Sequence, residues 1–419
     1  MIKNNYIFSN DWLFVIGIWL FSRFFIIIAM LGIAPLLPAP NNGIAATLDW
    51  DVFSAFDSVH YEKVAIQGYG YSVINQDYSV VFFPLFPLIL RGLIILGLPF
   101  KLAGTLLNNL AFLWSLIVLF SWINNCYGIK VARWVLAVMT FFPMSLFGTV
   151  IYTEGLYLLL STATLKAFDQ RKYVQMAIWG AMATATRPTG IALILSLLIV
   201  SFKESRGIKA YIFSLASGIG IFLYSIYCQI KFGDFLAFVH AQKAWRTELG
   251  FRWQSWLKIL MQIIIGPVNV KSGYIKDPWY PLLFLSLIII AYLLWYFRKR
   301  LGSLKVDYAF FILILLAWLL AGDPLINVGI VLGGGYLLWH LRSQLLSIIF
   351  VYGCCGLGLI FASGGTISMN RIAYGIVSLS IALGMLLSRY SRWGYAAMAF
   401  FTILLITFSI RFSQNLWVA

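Results

Sequence analysis

Apolar runs long enough to cross a lipid bilayer recur from one end of this 419-residue chain to the other, and they constrain the fold more than any motif does. A span needs about 20 mainly apolar residues to traverse roughly 30 Å of hydrocarbon. Inside that layer every backbone N–H and C=O must find a partner within the protein, and along a continuous apolar run only a helix provides it. Hydrophobic residues make up 62% of the chain and charged residues 11%, against roughly 45 to 50% and about 25% in a soluble domain. A water-soluble fold is excluded. The expected class is an all-α polytopic membrane protein, a single domain over residues 1–419 with about 11 to 13 membrane helices.

Thirty Lys and Arg against 14 Asp and Glu give a net charge of +16. In a soluble protein that excess would direct attention to nucleic acid. Here it follows from the gathering of basic residues in cytoplasmic loops, and no nucleic-acid partner is expected. Cys126, Cys228, Cys354 and Cys355 lie in apolar stretches without metal-ligand spacing, so neither a disulfide framework nor a metal site is expected. The run 12–37, preceded by Lys3, is too long for the apolar region of a signal peptide and lacks a small-residue cleavage site. It is expected to remain as the first span.

Charge fixes the orientation. Lys130 with Arg133, Lys166 with Arg171 and Lys172, Lys203 with Arg206 and Lys209, residues 298–305, and Arg389 with Arg392 mark the cytoplasmic side. The segment 38–79 has the opposite character, with Asp49, Asp51, Asp57, Glu62 and Asp77 against Lys63 alone, and belongs outside. One full crossing then fits before Lys130, at 102–123. The apolar stretch 80–99 carries Pro84, Pro87 and Arg91 and is expected to lie in the outer interface, so that residues 37–101 form an outer loop with interfacial helices. Residues 173–201 are flanked on both sides by cytoplasmic charge and interrupted by Arg187-Pro188-Thr189-Gly190, which predicts a re-entrant pair of half-length helices. Further spans are expected at 131–148, 153–168, 209–230, 279–297, 305–321, 325–341, 344–362, 371–388 and 394–411. A second outer segment, 231–278, holds Trp245, Arg246, Arg252, Trp253, Trp256 and Lys258, a composition suited to the headgroup level.

Few residues can carry chemistry. If 53–67 is helical, Asp57, His60 and Tyr61 fall at i, i+3 and i+4 and share one face. A carboxylate beside an imidazole at a membrane surface can act as general base towards a hydroxyl, because partial desolvation brings its pKa nearer the working pH. A solvated or N-capping Asp is the plain alternative. Glu154, in Tyr152-Thr153-Glu154-Gly155, stands at the outer end of a span, and acids within spans face a cavity or a partner because burying them in lipid costs roughly 2.5 to 3.5 kcal/mol. Arg187 lies in the middle of an apolar stretch and implies a buried ion pair or an anion site. Arg371 begins a span on the outer side, where snorkelling to the interface is the plain alternative. Carboxylates and guanidinium groups on one side of the membrane suit a reaction between a hydroxyl and a lipid-linked phosphate ester better than ion conduction. His240 and His340 are isolated and read as loop or packing residues. Gly333-Gly334-Gly335 lacks a following Lys or Ser/Thr and reads as close packing between spans, not as a phosphate loop.

In order along the chain stand Phe56-Asp57-x-x-His60-Tyr61, Ile66-x-Gly68-Tyr69, Phe82-Phe83-Pro84-x-Phe86-Pro87, Phe142-Pro143-x-Ser145, Tyr152-Thr153-Glu154-Gly155-Leu156 and Ala185-Thr186-Arg187-Pro188-Thr189-Gly190. Gly233-Asp234-Phe235-Leu236-Ala237-Phe238 and Ser368-x-x-Arg371 follow. This series resembles the second mannosyltransferase of GPI-anchor assembly and its prokaryotic relatives. Phe56 stands where many relatives have Trp, which keeps an aromatic face and loses an indole N–H. The resemblance implies the GT-C glycosyltransferase fold, with an Asp on the first outer loop brought to the acceptor and a polyprenyl-phosphate sugar as donor. It implies Asp57 as general base with Glu154 and His60 beside it. Arg187 and Arg371 match basic positions that resemble donor-phosphate contacts, with Tyr61 and Asp51 as further substrate contacts. The implied reaction is inverting transfer of a hexose, mannose by family weight, to a hydroxyl of a lipid or glycan acceptor on the non-cytoplasmic side of the membrane. No cofactor or metal is required in it, because the leaving group is already an anionic phosphate ester. A lipid-linked glycan flippase is the alternative, which an inverted repeat would favour; none is visible.

Overall fold

The computed structural model describes residues 7–72, 77–244, 250–365 and 368–418. Lys3, Trp245 and Arg246 lie outside the described residues. Among the described residues helices are the only extended elements, joined by short irregular stretches with two isolated bridges, Ser72 to Asp77 and Gly250 to Ser363. Five helices are each long and apolar enough to cross a membrane: Asp11–Leu36, Phe100–Tyr127, Trp279–Tyr296, Ser303–Ala321 and Ser391–Ser413. The run expected at 209–230 is a pair, Ile208–Ala216 and Ile219–Phe232, bent by 41°. Expected spans elsewhere are shorter helices, Glu154–Asp169 and Ser347–Ala362 among them. The one at 325–341 is helical from Asp323 to His340 through a π-helical stretch, Gly329–Gly333.

Two further expected spans are interrupted, and both of these interruptions matter for the site. The helix expected over 131–148 is Ile129–Phe141 and stops there, because Pro143 disfavours helical backbone at Phe142 and brings no N–H of its own. A tight 3-10 stretch, Pro143–Gly148, follows, and the chain stays irregular until Glu154–Asp169 begins. The span expected at 371–388 is likewise two helices, Met369–Tyr374 and Val377–Arg389.

Residues 142–153 are all buried, although they form no α-helix. Buried irregular backbone is tolerable only where other groups satisfy it. Asn108, buried within Phe100–Tyr127, does most of this: its amide NH2 donates to the carbonyls of Phe147 (2.7 Å) and Val150 (2.6 Å), and its Oδ1 accepts from the Gly155 N–H (2.8 Å). Asn109 donates to the Thr149 carbonyl at 3.0 Å. From the first span, Arg23 donates to the Ser145 carbonyl (3.1 Å) and to Thr149 Oγ1 (2.5 Å). A side chain at Gly155 would place its Cβ 2.4 Å from the Asn108 carbonyl oxygen, so the close approach of the two helices requires glycine there.

The loop 37–101 is tied to this turn. Its elements are the 3-10 stretch Trp50–Phe53, the helix Asp57–Gln67, a second 3-10 turn Ser79–Val81, and the helix Leu85–Ile95. The helix expected from 53 begins at Asp57 instead, because Phe56 takes φ 55°, ψ −111°, outside any helical backbone. Such a conformation persists only where its surroundings hold it, and the Phe56 ring packs edge-on against Phe412 (5.8 Å) and Trp417 (5.2 Å). The Ile151 N–H donates to the Phe53 carbonyl (3.1 Å), and Ser58 Oγ donates to the Ile151 carbonyl (3.0 Å). The break predicted at 187–190 is present between Tyr173–Thr184 and Ile191–Lys203. The Ala185 carbonyl there accepts from the Leu85 N–H at 3.0 Å.

Asn108→Leu strands two carbonyls and an N–H in the interior and is expected to cost about 3 kcal/mol or more, since each such orphan costs about 1–3 kcal/mol; thermal unfolding in detergent measures it, with Ser115→Ala as a mild control. Gly155→Ala is expected to lose about 1–3 kcal/mol by overpacking against Asn108, by the same measurement.

Candidate active site

Four charged side chains converge where the loop 37–101 meets the irregular turn, three of them at the end or break of a helix and the fourth in a very short one. Asp57 opens the helix Asp57–Gln67, and Glu154 opens Glu154–Asp169. Arg187 precedes the 3-10 turn Pro188–Gly190, and Arg371 sits in the six-residue helix Met369–Tyr374. At such ends the backbone no longer holds the side chains to a helical stripe, so groups from distant segments can face a common point. Arg371 NH1 lies 2.7 Å from Asp57 Oδ2, and its Nε lies 3.5 Å from Glu154 Oε1. Arg187 NH1 donates to the same Glu154 oxygen.

Burial grades the four. The Glu154 side chain is 1% exposed, Arg371 12%, Arg187 13% and Asp57 23%, so Asp57 is the carboxylate an incoming molecule reaches first. Aromatic faces cradle the guanidinium of Arg371, with Tyr152 at 5.1 Å and Phe147 at 5.4 Å, and Tyr157 lies 5.9 Å from that of Arg187. Such contacts strengthen where water is excluded. The Asp57 N–H donates to the Tyr152 hydroxyl at 3.3 Å, which fixes the first turn of its helix against the irregular stretch. Glu154 Oε2 and Arg371 Nε are buried without a hydrogen-bond partner among the described residues. Buried polar atoms of this kind are uncommon, and a bound ligand is one of the things that satisfies them.

Asp57, Glu154, Arg187 and Arg371 are therefore together, and the plain alternatives of a solvated Asp57 and a snorkelling Arg371 do not hold. Tyr61 is buried at their edge, its hydroxyl 3.5 Å from Thr153 Oγ1 and its ring against Phe82, Phe86 and Tyr152. Burial, then the charges of Asp57 and Glu154, push its phenol above its usual pKa, so it meets a ligand as a neutral hydroxyl. His60 stacks on Phe82 at 4.7 Å, and burial holds its imidazole below the ordinary histidine pKa against the opposing pull of Asp57. Asp51 is placed elsewhere. It pairs with Lys101 on an exposed surface, and none of its hydrogen bonds reaches the four charges. It belongs to the 3-10 stretch Trp50–Phe53, which ends before the chain turns towards the site.

His240 Nδ1 lies 2.7 Å from Asp234 Oδ2, which also accepts from the Tyr71 hydroxyl at 3.2 Å, so Asp234 links the loop 37–101 to the segment that follows Ile219–Phe232. His340 stacks on Tyr336 as a packing residue. Arg23, Asn108, Phe147 and Tyr152 shape the site without having been singled out in the sequence. For Arg23 and Asn108 a signal existed: each is a strongly polar side chain inside a run long enough to span, where such groups face a partner.

No protein-family model matches the sequence, and no curated protein matches it. Among solved structures the chain is similar to ArnT from Cupriavidus metallidurans in a crystal structure bound to undecaprenyl phosphate, with TM-score 0.51 and 11% identity over 92% of this chain and 62% of that one. The apo state of the same protein gives TM-score 0.51 and 12% identity over the same shares. The Archaeoglobus fulgidus oligosaccharyltransferase in complex with zinc and sulfate gives TM-score 0.45 and 10% identity over 94% of this chain and 53% of that one. The chain thus spans less than two thirds of the length of these chains. At such identities the likeness is one of fold. The protein is an integral, multi-pass membrane protein with the GT-C fold of membrane glycosyltransferases.

Proposed function

We propose that the chain is a membrane glycosyltransferase that moves a hexose from a polyprenyl-phosphate donor to a hydroxyl of a lipid or glycan acceptor on the non-cytoplasmic side. The family resemblance makes mannose the proposed sugar. The observation that carries this reading is the pairing of a partly accessible carboxylate, Asp57, with a buried guanidinium, Arg371, at 2.7 Å, beside the Glu154–Arg187 pair. The undecaprenyl phosphate in the ArnT structure supports the class of donor.

In the proposed reaction the donor phosphate takes Arg371, with Arg187 at its flank, and so competes with Asp57 for the guanidinium. Released from its cation, the Asp57 carboxylate is free to accept the proton of the acceptor hydroxyl. The hydroxyl oxygen attacks the anomeric carbon from the face opposite the phosphate, the bond from that carbon to the phosphate oxygen breaks, and configuration inverts. Negative charge grows on the departing phosphate oxygen, where fixed guanidinium groups stabilise it more than they stabilise the bound donor. Glu154 holds both guanidiniums in place through one oxygen. Tyr61 and His60 border the acceptor side, and both are neutral there at pH 7.

With purified protein in nanodiscs, polyprenyl-phosphate mannose and membrane lipids, Asp57→Asn is expected to lower sugar transfer by about 10²-fold or more, and Arg371→Ala to weaken donor affinity by about tenfold or more. Equal transfer by wild type and Asp57→Asn would remove the carboxylate from the mechanism. Glu154→Gln leaves two neighbouring guanidiniums facing a neutral amide and is expected to cost about 3 kcal/mol of stability, since breaking a buried pair from one side leaves an uncompensated charge; thermal unfolding in detergent reads this directly.

A further inference from the structure

At the candidate site acid meets base: Glu154 faces Arg187, and Asp57 faces Arg371. Arg23 lies in the helix Ile7–Ile27 with 4% of its surface exposed, yet among the described residues it has no carboxylate partner. Its Nε donates to Ser22 Oγ (3.2 Å), NH1 to the Ser145 carbonyl (3.1 Å) and Thr149 Oγ1 (2.5 Å), and NH2 to Ser145 Oγ (3.3 Å). The Phe112 ring lies 4.8 Å from its guanidinium. Every contact is neutral. These donors satisfy hydrogen bonding but leave the positive charge itself uncompensated, and an unpaired buried charge is costly unless something supplies the opposite sign. Snorkelling to water is closed to a side chain so enclosed.

The geometry ties this charge to the candidate site. Ser145 and Thr149 bracket Phe147, the residue whose ring faces the guanidinium of Arg371. Arg23, Arg187 and Arg371 supply three positive charges, and Asp57 and Glu154 supply two negative ones. The excess is a single positive charge, and a phosphodiester linking a sugar to a polyprenyl chain carries a single negative one. In a water-poor interior that imbalance acts over longer distances than a surface charge does.

We propose that Arg23 is a positioning residue for the donor: it seats the turn that carries Phe147 against Arg371, and it supplies the unbalanced positive charge that one phosphate anion neutralises. This rests on the reading of the site as one for a polyprenyl-phosphate sugar, and deepens it. Serine or threonine partners hold Arg23 without quenching its charge, which an acid in their place would do.

The test compares binding of a long-chain polyprenyl phosphate with binding of the same uncharged polyprenol to the full-length protein in detergent. In Arg23→Gln the preference for phosphate over alcohol is expected to fall about tenfold or more, while Arg23→Lys keeps it within about threefold. Thr149→Asp neutralises Arg23 in place and is expected to lose the preference as Arg23→Gln does; it carries the test if Arg23→Gln fails to fold. A purely mechanical clamp would lower thermal stability in these variants and leave the preference unchanged, and that result overturns the proposal. Absence of any phosphate preference in the wild type overturns the donor reading as well, so the two failures are distinguishable.

Discussion

One buried amide sets the conditions for the rest of this structure. Asn108 satisfies two carbonyls and one N–H of a stretch that leaves helical geometry in the interior of a membrane protein. Without such a partner the stretch between Phe141 and Glu154 would have to remain helical, because hydrocarbon provides nothing else for its backbone. As an irregular turn it instead presents Phe147, Tyr152 and Glu154 from three closely spaced positions. Those are two faces for a guanidinium and the acid that holds it.

The arrangement of the loop 37–101 follows from the same turn. Ile151 and Ser58 stitch the loop to it, and Phe56, held in an unfavourable backbone state by Phe412 and Trp417, starts the next helix with Asp57 already at the cluster. Three charges of the cluster come from a break or end of a helix, and the fourth, Arg371, from a helix of six residues. A helix interior would have fixed its side chains along its own stripe, and four segments separated by many residues could not then have met at one point. Glu154 engages both arginines through one oxygen, and among the described residues its other oxygen has no donor.

Much of this was legible in the chain. The apolar runs, the charge asymmetry of residues 38–79 and the break at Arg187-Pro188-Thr189-Gly190 each reflect a strong local energy term: burial in hydrocarbon, exclusion of acids from it, and the inability of proline to continue a helix. Asp57, Glu154, Arg187 and Arg371 stood out for the same reason, as ionisable groups in places where ionisation is costly. Less legible were the positions at which spans stop. Hydropathy does not mark where helical backbone stops within the apolar run 131–148, which Pro143 ends at Phe141. The helix considered over 53–67 begins at Asp57, because a positive φ at Phe56 has no sequence signature in an aromatic residue.

Asp51 and His240 mark the boundary from the other side. Both are polar residues of loop segments, and composition treats Asp51 much as it treats Asp57, yet Asp51 faces Lys101 on the surface and His240 closes on Asp234. What the sequence determined alone was the helical membrane class and the residue types that carry charge into the interior, because each follows from the transfer energy of a side chain or a backbone group on its own. What tertiary structure decided was which acid meets which guanidinium, that Arg23 meets none, and that Asn108 licenses the turn between them. Those outcomes depend on pairs of groups from distant parts of the chain, and pairing energies have no value until the fold has set the distance.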